Sequence, residues 1–189
     1  MLTRRFGTIA GLLALALMAW WFLARPLPLA ASLPTLLREI QAMNELVSVK
    51  YKVQKVVGIE EQKSYVGAER LLLIVQADVL AGVELNGLQA TNLQWTGDRR
   101  VLIRLPQPKI LHIVLDDKQT KVWDRSITWW TPWVPFNPDL ERQARLSAIE
   151  SIREDAIQMG ILPQARQHAE ASLSRLLRAL GLEAVTFGS

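Results

Sequence analysis

The chain has no cysteine and only two histidines, His112 and His168, in its 189 residues. The first absence excludes disulfides, thiol nucleophiles and a lipidated N-terminal cysteine. The second leaves too few imidazoles for a histidine-based zinc centre. A strong charge of one sign is also missing, since 22 basic residues face 18 acidic ones for a balance of +4. Nucleic-acid binding needs basic residues clustered on one face, so this even balance argues against nucleic acid as a partner. Nor does any serine stand in a glycine elbow beside a base. Ser64, Ser126 and Ser147 all lack that setting, which leaves nucleophilic serine chemistry without support. No cofactor-binding or metal-binding motif is present either, and none of those groups is expected.

What the sequence does contain is one long apolar run. Phe6 to Ala24 reads FGTIAGLLALALMAWWFLA, with no charge and no proline. As a helix rising about 1.5 Å per residue it spans roughly 28 Å, close to the hydrocarbon thickness of a bilayer. Trp20, Trp21 and Phe22 lie near one end, where amphipathic rings favour the headgroup layer. A cleaved signal peptide would have an apolar region of about 7–15 residues followed by a small-x-small site. Here Phe22 precedes Ala24 and Pro28 precedes Ala30, so neither alanine fits. The run reads as a retained single-pass anchor, and the membrane is the first expected partner. Arg4 and Arg5 cluster before it. That places residues 1–5 in the cytoplasm as a short tail and the bulk of the chain outside, on the periplasmic side of an inner membrane. Residues 25–35, rich in proline, then form a linker to a single extracytoplasmic domain over 36–189.

The domain begins with helical spacing at Leu36, Leu37, Ile40 and Met43, behind Ser32 and Pro34. Val47, Val49, Tyr51 and Val53 alternate with polar residues, the period of a half-buried strand. That alternation breaks at Lys55–Val56–Val57, which reads as a bulge. From Arg70 to Ala81 the odd positions are apolar without exception. Thr91, Leu93 and Trp95 pair with Val101, Ile103 and Leu105 across a Gly97–Asp98 turn as a hairpin. Ile110 to Leu115 is a strand, Asp116 to Thr120 a polar turn, and Lys121 to Asp124 its short return. Asn137 and Pro138 open a helix with an apolar stripe from Leu140 to Ile157. A second helix carries Ala165, Ala169, Leu173, Leu176, Leu177 and Leu180, closed by Gly181. Val185 and Phe187 look like a last strand. Strands first and helices last predict an α+β fold, a mostly antiparallel sheet packed against C-terminal helices behind an N-terminal transmembrane helix.

Several segments share an order with a known family. They are Glu45 to Tyr51, Val79 to Leu85, Ile103 to Ile110, Gly160–Ile161–Leu162 with Ala165, and Leu180–Gly181. In that order the chain resembles the bacterial family catalogued as domain of unknown function 4230. The resemblance runs from about Leu36 to Phe187 and implies an N-terminal membrane helix before the domain. It implies no activity, ligand or catalytic residue.

Carboxylates for acid–base work are available at Asp78, Glu84, Asp116 and Asp117, but no spacing brings two together. Leu105–Pro106–Gln107–Pro108 reads as the stop of an edge strand, with a peptide-like recognition segment as the alternative. His112 reads as a structural residue in a strand, and His168 as part of a solvated helix face. The feature that stands out is Ile127 to Phe136, ITWWTPWVPF. Trp129, Trp130, Trp133 and Phe136 put four large rings into eight residues, and such rings either plug a core or meet a membrane or partner. The residues favour a non-enzymatic, membrane-tethered binding or scaffolding domain whose further partner is a protein or lipid. An envelope-associated enzyme and a lipid or small-ligand carrier are the alternatives.

Overall fold

The computed structural model describes residues 32–63, 67–128 and 135–188. The apolar run at 6–24 and most of the linker lie outside the described residues, as do Trp129, Trp130 and Trp133. No helix among the described residues is long and apolar enough to cross a membrane.

In chain order the elements are α1 (Leu33–Ala42), β1 (Glu45–Lys63), β2 (Gly67–Glu84), β3 (Leu93–Gly97) and β4 (Arg100–Arg104). Then follow β5 (Lys109–Leu115), β6 (Lys121–Ile127), α2 (Leu140–Gln158), α3 (Ile161–Ala179) and β7 (Ala184–Gly188). The result is α+β, with a mainly antiparallel sheet and C-terminal helices, as the order of patterns predicted.

The frame is the long antiparallel hairpin of β1 and β2, paired from Glu45–Glu84 to Lys63–Gly67. Leu71, Leu73, Val75, Ala77, Val79, Ala81 and Val83 are fully buried on one face of β2. The expected bulge at Lys55–Val56–Val57 is absent. Those residues pair in unbroken register with Val75, Ile74 and Leu73. Lys55 occupies an inward position, and its ammonium group bonds Ser151 at 2.5 Å and Asp155 at 2.6 Å on α2. A lysine on the apolar row disguised a regular strand. The register instead slips between Val47 and Val49, opposite Gly82, where a Cβ would stand 2.0 Å from the Leu46 carbonyl oxygen.

The reading of Lys121 onward as a return strand is also corrected. β5 pairs antiparallel with the Ala77–Gly82 part of β2, and β6 pairs antiparallel with its Glu69–Ile74 part. The two strands therefore run in the same direction, end to end along one long neighbour. The turn between them is tied to β2, because the Asp116 amide donates to the Gln76 carbonyl at 2.8 Å. The Asp116 carboxylate in turn accepts the Lys118 amide. A polar five-residue break does not reverse a chain when a long strand on one side supplies hydrogen bonds to both halves.

β3, β4 and β7 form a second, smaller sheet. The β3–β4 hairpin is as predicted, and β7 joins β4 in parallel.

α2 and α3 cover one face of the larger sheet. Leu140, Ala144, Ala148, Ile152 and Ala156 are buried on α2, and Ile161, Ala165, Ala169, Leu173 and Leu177 on α3. Four-residue spacing gains roughly 40° at each step, so each stripe winds with the twist of the sheet beneath it. The alanines let the helices approach closely. Asp155 meets Lys55 while the Ala165 carbonyl accepts the Ser48 hydroxyl at 2.8 Å. The two helices thus follow one another along β1, joined at Gly160 in the left-handed region. α3 ends in a Schellman motif, with Gly181 at φ 97° and the Leu182 amide donating to the Leu177 carbonyl at 3.2 Å. α1 starts inside the stretch read as linker and packs into the domain, with Leu36 and Ile40 buried and Gln41 donating to the Leu88 carbonyl.

Candidate functional site

The β1–β2 hairpin has two ends. At one, Lys63 and Gly67 close the turn region. At the other, the Leu85 and Asn86 amides donate to the Asn44 carbonyl beside α1. The residues that flank the aromatic segment, Thr128 and Asn137, lie at the first end, where Asn137 meets a buried carboxylate.

Glu69 sits at an inward position of β2 and is fully buried. Its Oε2 accepts the Lys63 ammonium at 2.6 Å and the Asn137 amide at 2.9 Å. Its Oε1 accepts Arg125 Nε at 2.7 Å. Arg125 also donates to the Asn137 carbonyl at 2.6 Å, and its guanidinium lies 4.7 Å from the centre of the Phe136 ring. Asn137 donates its side-chain amide to Glu61 at 2.8 Å, and Lys63 reaches the Pro135 carbonyl. Burial pushes the Glu69 carboxyl up. The hydrogen bonds from Lys63, the Asn137 amide and Arg125 outweigh that push and hold it below the usual carboxylate range.

The upstream flank is tied to the neighbouring residue. The Thr128 amide donates to the Ala68 carbonyl at 3.1 Å, and the Thr128 hydroxyl accepts the Ala68 amide at 2.8 Å. The two flanking residues, Thr128 and Asn137, are thus tied to neighbouring positions of β2, Ala68 and Glu69. Phe136, the described member of the four rings, is 53% exposed. Asn137 starts the following helix less directly than its cap position implies. Its side chain accepts the Asp139 amide in an Asx turn, and α2 begins at Leu140.

The other sequence candidates are not brought together. Asp78 and Glu84 lie six residues apart on the same side of β2, roughly 20 Å by strand rise. Asp78 pairs with Lys50 at 2.7 Å and Glu84 with Lys109 at 2.6 Å. The hydrogen bond from Lys50 lowers the Asp78 carboxyl, a position that suits a standing anion and not an acid–base catalyst. Asp117 pairs with Arg145 on α2. His112 bonds Glu45 at 3.0 Å on an exposed edge, and His168 is exposed on α3. Ser64 lies outside the described residues, while Ser126 and Ser147 are exposed. Pro106 and Pro108 sit in the link between β4 and β5. Among the described residues no cluster of acidic or histidine side chains could hold a metal. Replacing Asp78 by asparagine and Glu84 by glutamine together should leave the melting temperature where it is, because each holds only a partly exposed lysine pair.

Glu69 is the residue that the pattern reading passed over. The signal was there. Extending the apolar row of β2 back by one step, from Leu71 to position 69, puts a carboxylate on the core face, which requires partners.

The sequence matches the family described as "Protein of unknown function (DUF4230)" over residues 38–187, most of the chain. The chain belongs to that family. The matched span of this DUF4230 protein takes in both sheets and both C-terminal helices, together with the Glu69 cluster and the aromatic segment it anchors. No curated protein and no solved structure matches the chain.

Proposed function

We propose that this chain is a non-enzymatic binding or scaffolding module, tethered to an inner membrane through residues 6–24 and facing the periplasm. Its contact element for a partner protein is the loop built around Trp129, Trp130, Trp133 and Phe136. The observation that carries the reading is the Glu69 cluster. Burying a carboxylate with two cations is costly, and this one is spent on fixing the return of a tryptophan-rich loop. Fixing the flank of a contact segment before binding reduces the entropy lost on binding.

Residue type favours a protein partner, since tryptophan is among the residues enriched at the hot spots of protein interfaces. An enzyme would need converging carboxylates, whereas Asp78 and Glu84 stand apart in separate lysine pairs. A carrier would need room between sheet and helices, where Leu71, Val75, Val79, Ala144, Ile152 and Ala165 belong to one buried cluster.

The absence of cysteine gives a direct test. In Thr131→Cys, a membrane-impermeant maleimide should label intact cells whose outer membrane has been permeabilised. A photo-crosslinker on that cysteine should give one discrete protein adduct. Protection from the maleimide until the inner membrane is lysed would reverse the orientation. Adducts with lipid alone would replace the protein partner by the bilayer.

A further inference from the structure

The opposite end of the domain carries a second surface. Arg99, at φ 59° in the β3–β4 turn, accepts the Glu183 amide through its carbonyl at 2.8 Å. Its guanidinium comes within 3.3 Å of where a Cβ on Gly181 would stand. Gly181 in turn donates its amide to the Arg178 carbonyl in the last turn of α3. Arg100 pairs in register with Ala184 on β7. The small sheet and the end of α3 thus meet in a group of exposed arginines, with Arg175 one turn earlier on the helix. Among the described residues none of Arg99, Arg100, Arg175 and Arg178 enters an ion pair, although other arginines of the domain do. Arg175 bonds only the neutral Ser172 hydroxyl. The acids on these segments are Asp98 and Glu183, both exposed. Leu176 and Leu180 interleave with the helix arginines and are 39% and 42% exposed.

We propose that this end of the domain docks on anionic phospholipid headgroups, with Arg99, Arg100, Arg175 and Arg178 against the phosphates and Leu176 and Leu180 at the acyl boundary. Basic residues alternating with exposed leucines at a helix end match an interfacial contact, in which charge attracts and apolar side chains enter the boundary layer. α1, the element that follows the linker in sequence, packs beside β3 of the same small sheet. The inference rests on the membrane-tethered reading. It adds a second contact to that reading, between the arginine group and anionic headgroups.

The test uses the full chain in nanodiscs of phosphatidylcholine, with and without phosphatidylglycerol. Ala179→Cys, exposed between Arg178 and Leu180, carries an environment-sensitive dye, and the lipids carry a headgroup quencher. Quenching should appear only with phosphatidylglycerol. It should vanish when salt shortens the Debye length to about 3 Å. Changing Arg99, Arg175 and Arg178 to glutamine should lower the ratio of docked to undocked domain about fivefold each, and about a hundredfold together. Arg153→Gln, on α2, should leave that ratio unchanged. An unquenched dye in both discs, or equal quenching that ignores salt, overturns the proposal even if the triple variant proves too unstable to study. The anchor is judged separately: extraction of the chain by alkaline carbonate would refute it, while the dye would still report headgroup contact when vesicles are added to the freed chain.

Discussion

Glu69→Gln should lower folding stability by about 3–5 kcal/mol, the usual cost of removing one partner from a buried charge network. The glutamine amide keeps the shape but leaves Lys63 and Arg125, both largely buried, without their counter-charge. Chemical denaturation of the purified protein would measure the loss. The same change should make the chain around Pro135–Asn137 more sensitive to proteolysis, because Lys63, Arg125 and the Asn137 amide then compete for one acceptor oxygen in place of two. The pH dependence has a defined sign. The folded Glu69 carboxyl lies below its unfolded value, so its contribution is complete above an unfolded pKa of about 4.3. It is lost as pH falls through the lowered folded value. The stability gap between the parent and the Glu69→Gln variant should therefore hold constant from neutral pH down to about 5 and close only in stronger acid.

Gly82→Ala should be comparably damaging for a different reason. The new Cβ would stand 2.0 Å from the Leu46 carbonyl oxygen and 2.8 Å from its carbonyl carbon. Both are backbone atoms, so no side-chain rotation relieves the clash. β1 must move where its register already slips against β2. Overpacking of this kind costs about 1–3 kcal/mol when side chains can yield, and here the upper end or more is expected. Gly87→Ala is the control, since nothing lies within 4 Å of its Cβ position. A melting experiment on the pair should show a large drop for position 82 and almost none for position 87.

Elements written by strict periodicity were legible in the sequence. The odd row of β2, the β3–β4 hairpin and the four-residue stripes of α2 and α3 appear where the patterns placed them, but Ile157, Leu176 and Leu180, read as members of those stripes, are exposed. The misreadings fall where one residue does a second job. Lys55 broke an apolar row because its ammonium serves α2 across the interface, which single-strand patterning cannot show. β6 read as a return strand because turn chemistry at Asp116–Thr120 is local, whereas strand direction is set by the distant β2. β7 was visible as a strand, but its parallel place beside β4 depends on the path of two intervening helices. In the candidate site, the rings were legible as composition. The carboxylate that anchors them lies some sixty residues earlier in the chain, so only the folded register joins Glu69 to Asn137.

Thermal unfolding of Trp129→Ala, Trp130→Ala and Trp133→Ala tests most directly whether the loop is a contact surface or part of the core. If the rings serve contact, each variant should melt within about 2 °C of the parent, as surface substitutions do. If they plug the core, truncating a buried tryptophan costs about 3–5 kcal/mol, and all three should fall by about 10 °C or more. That second result would contradict the account.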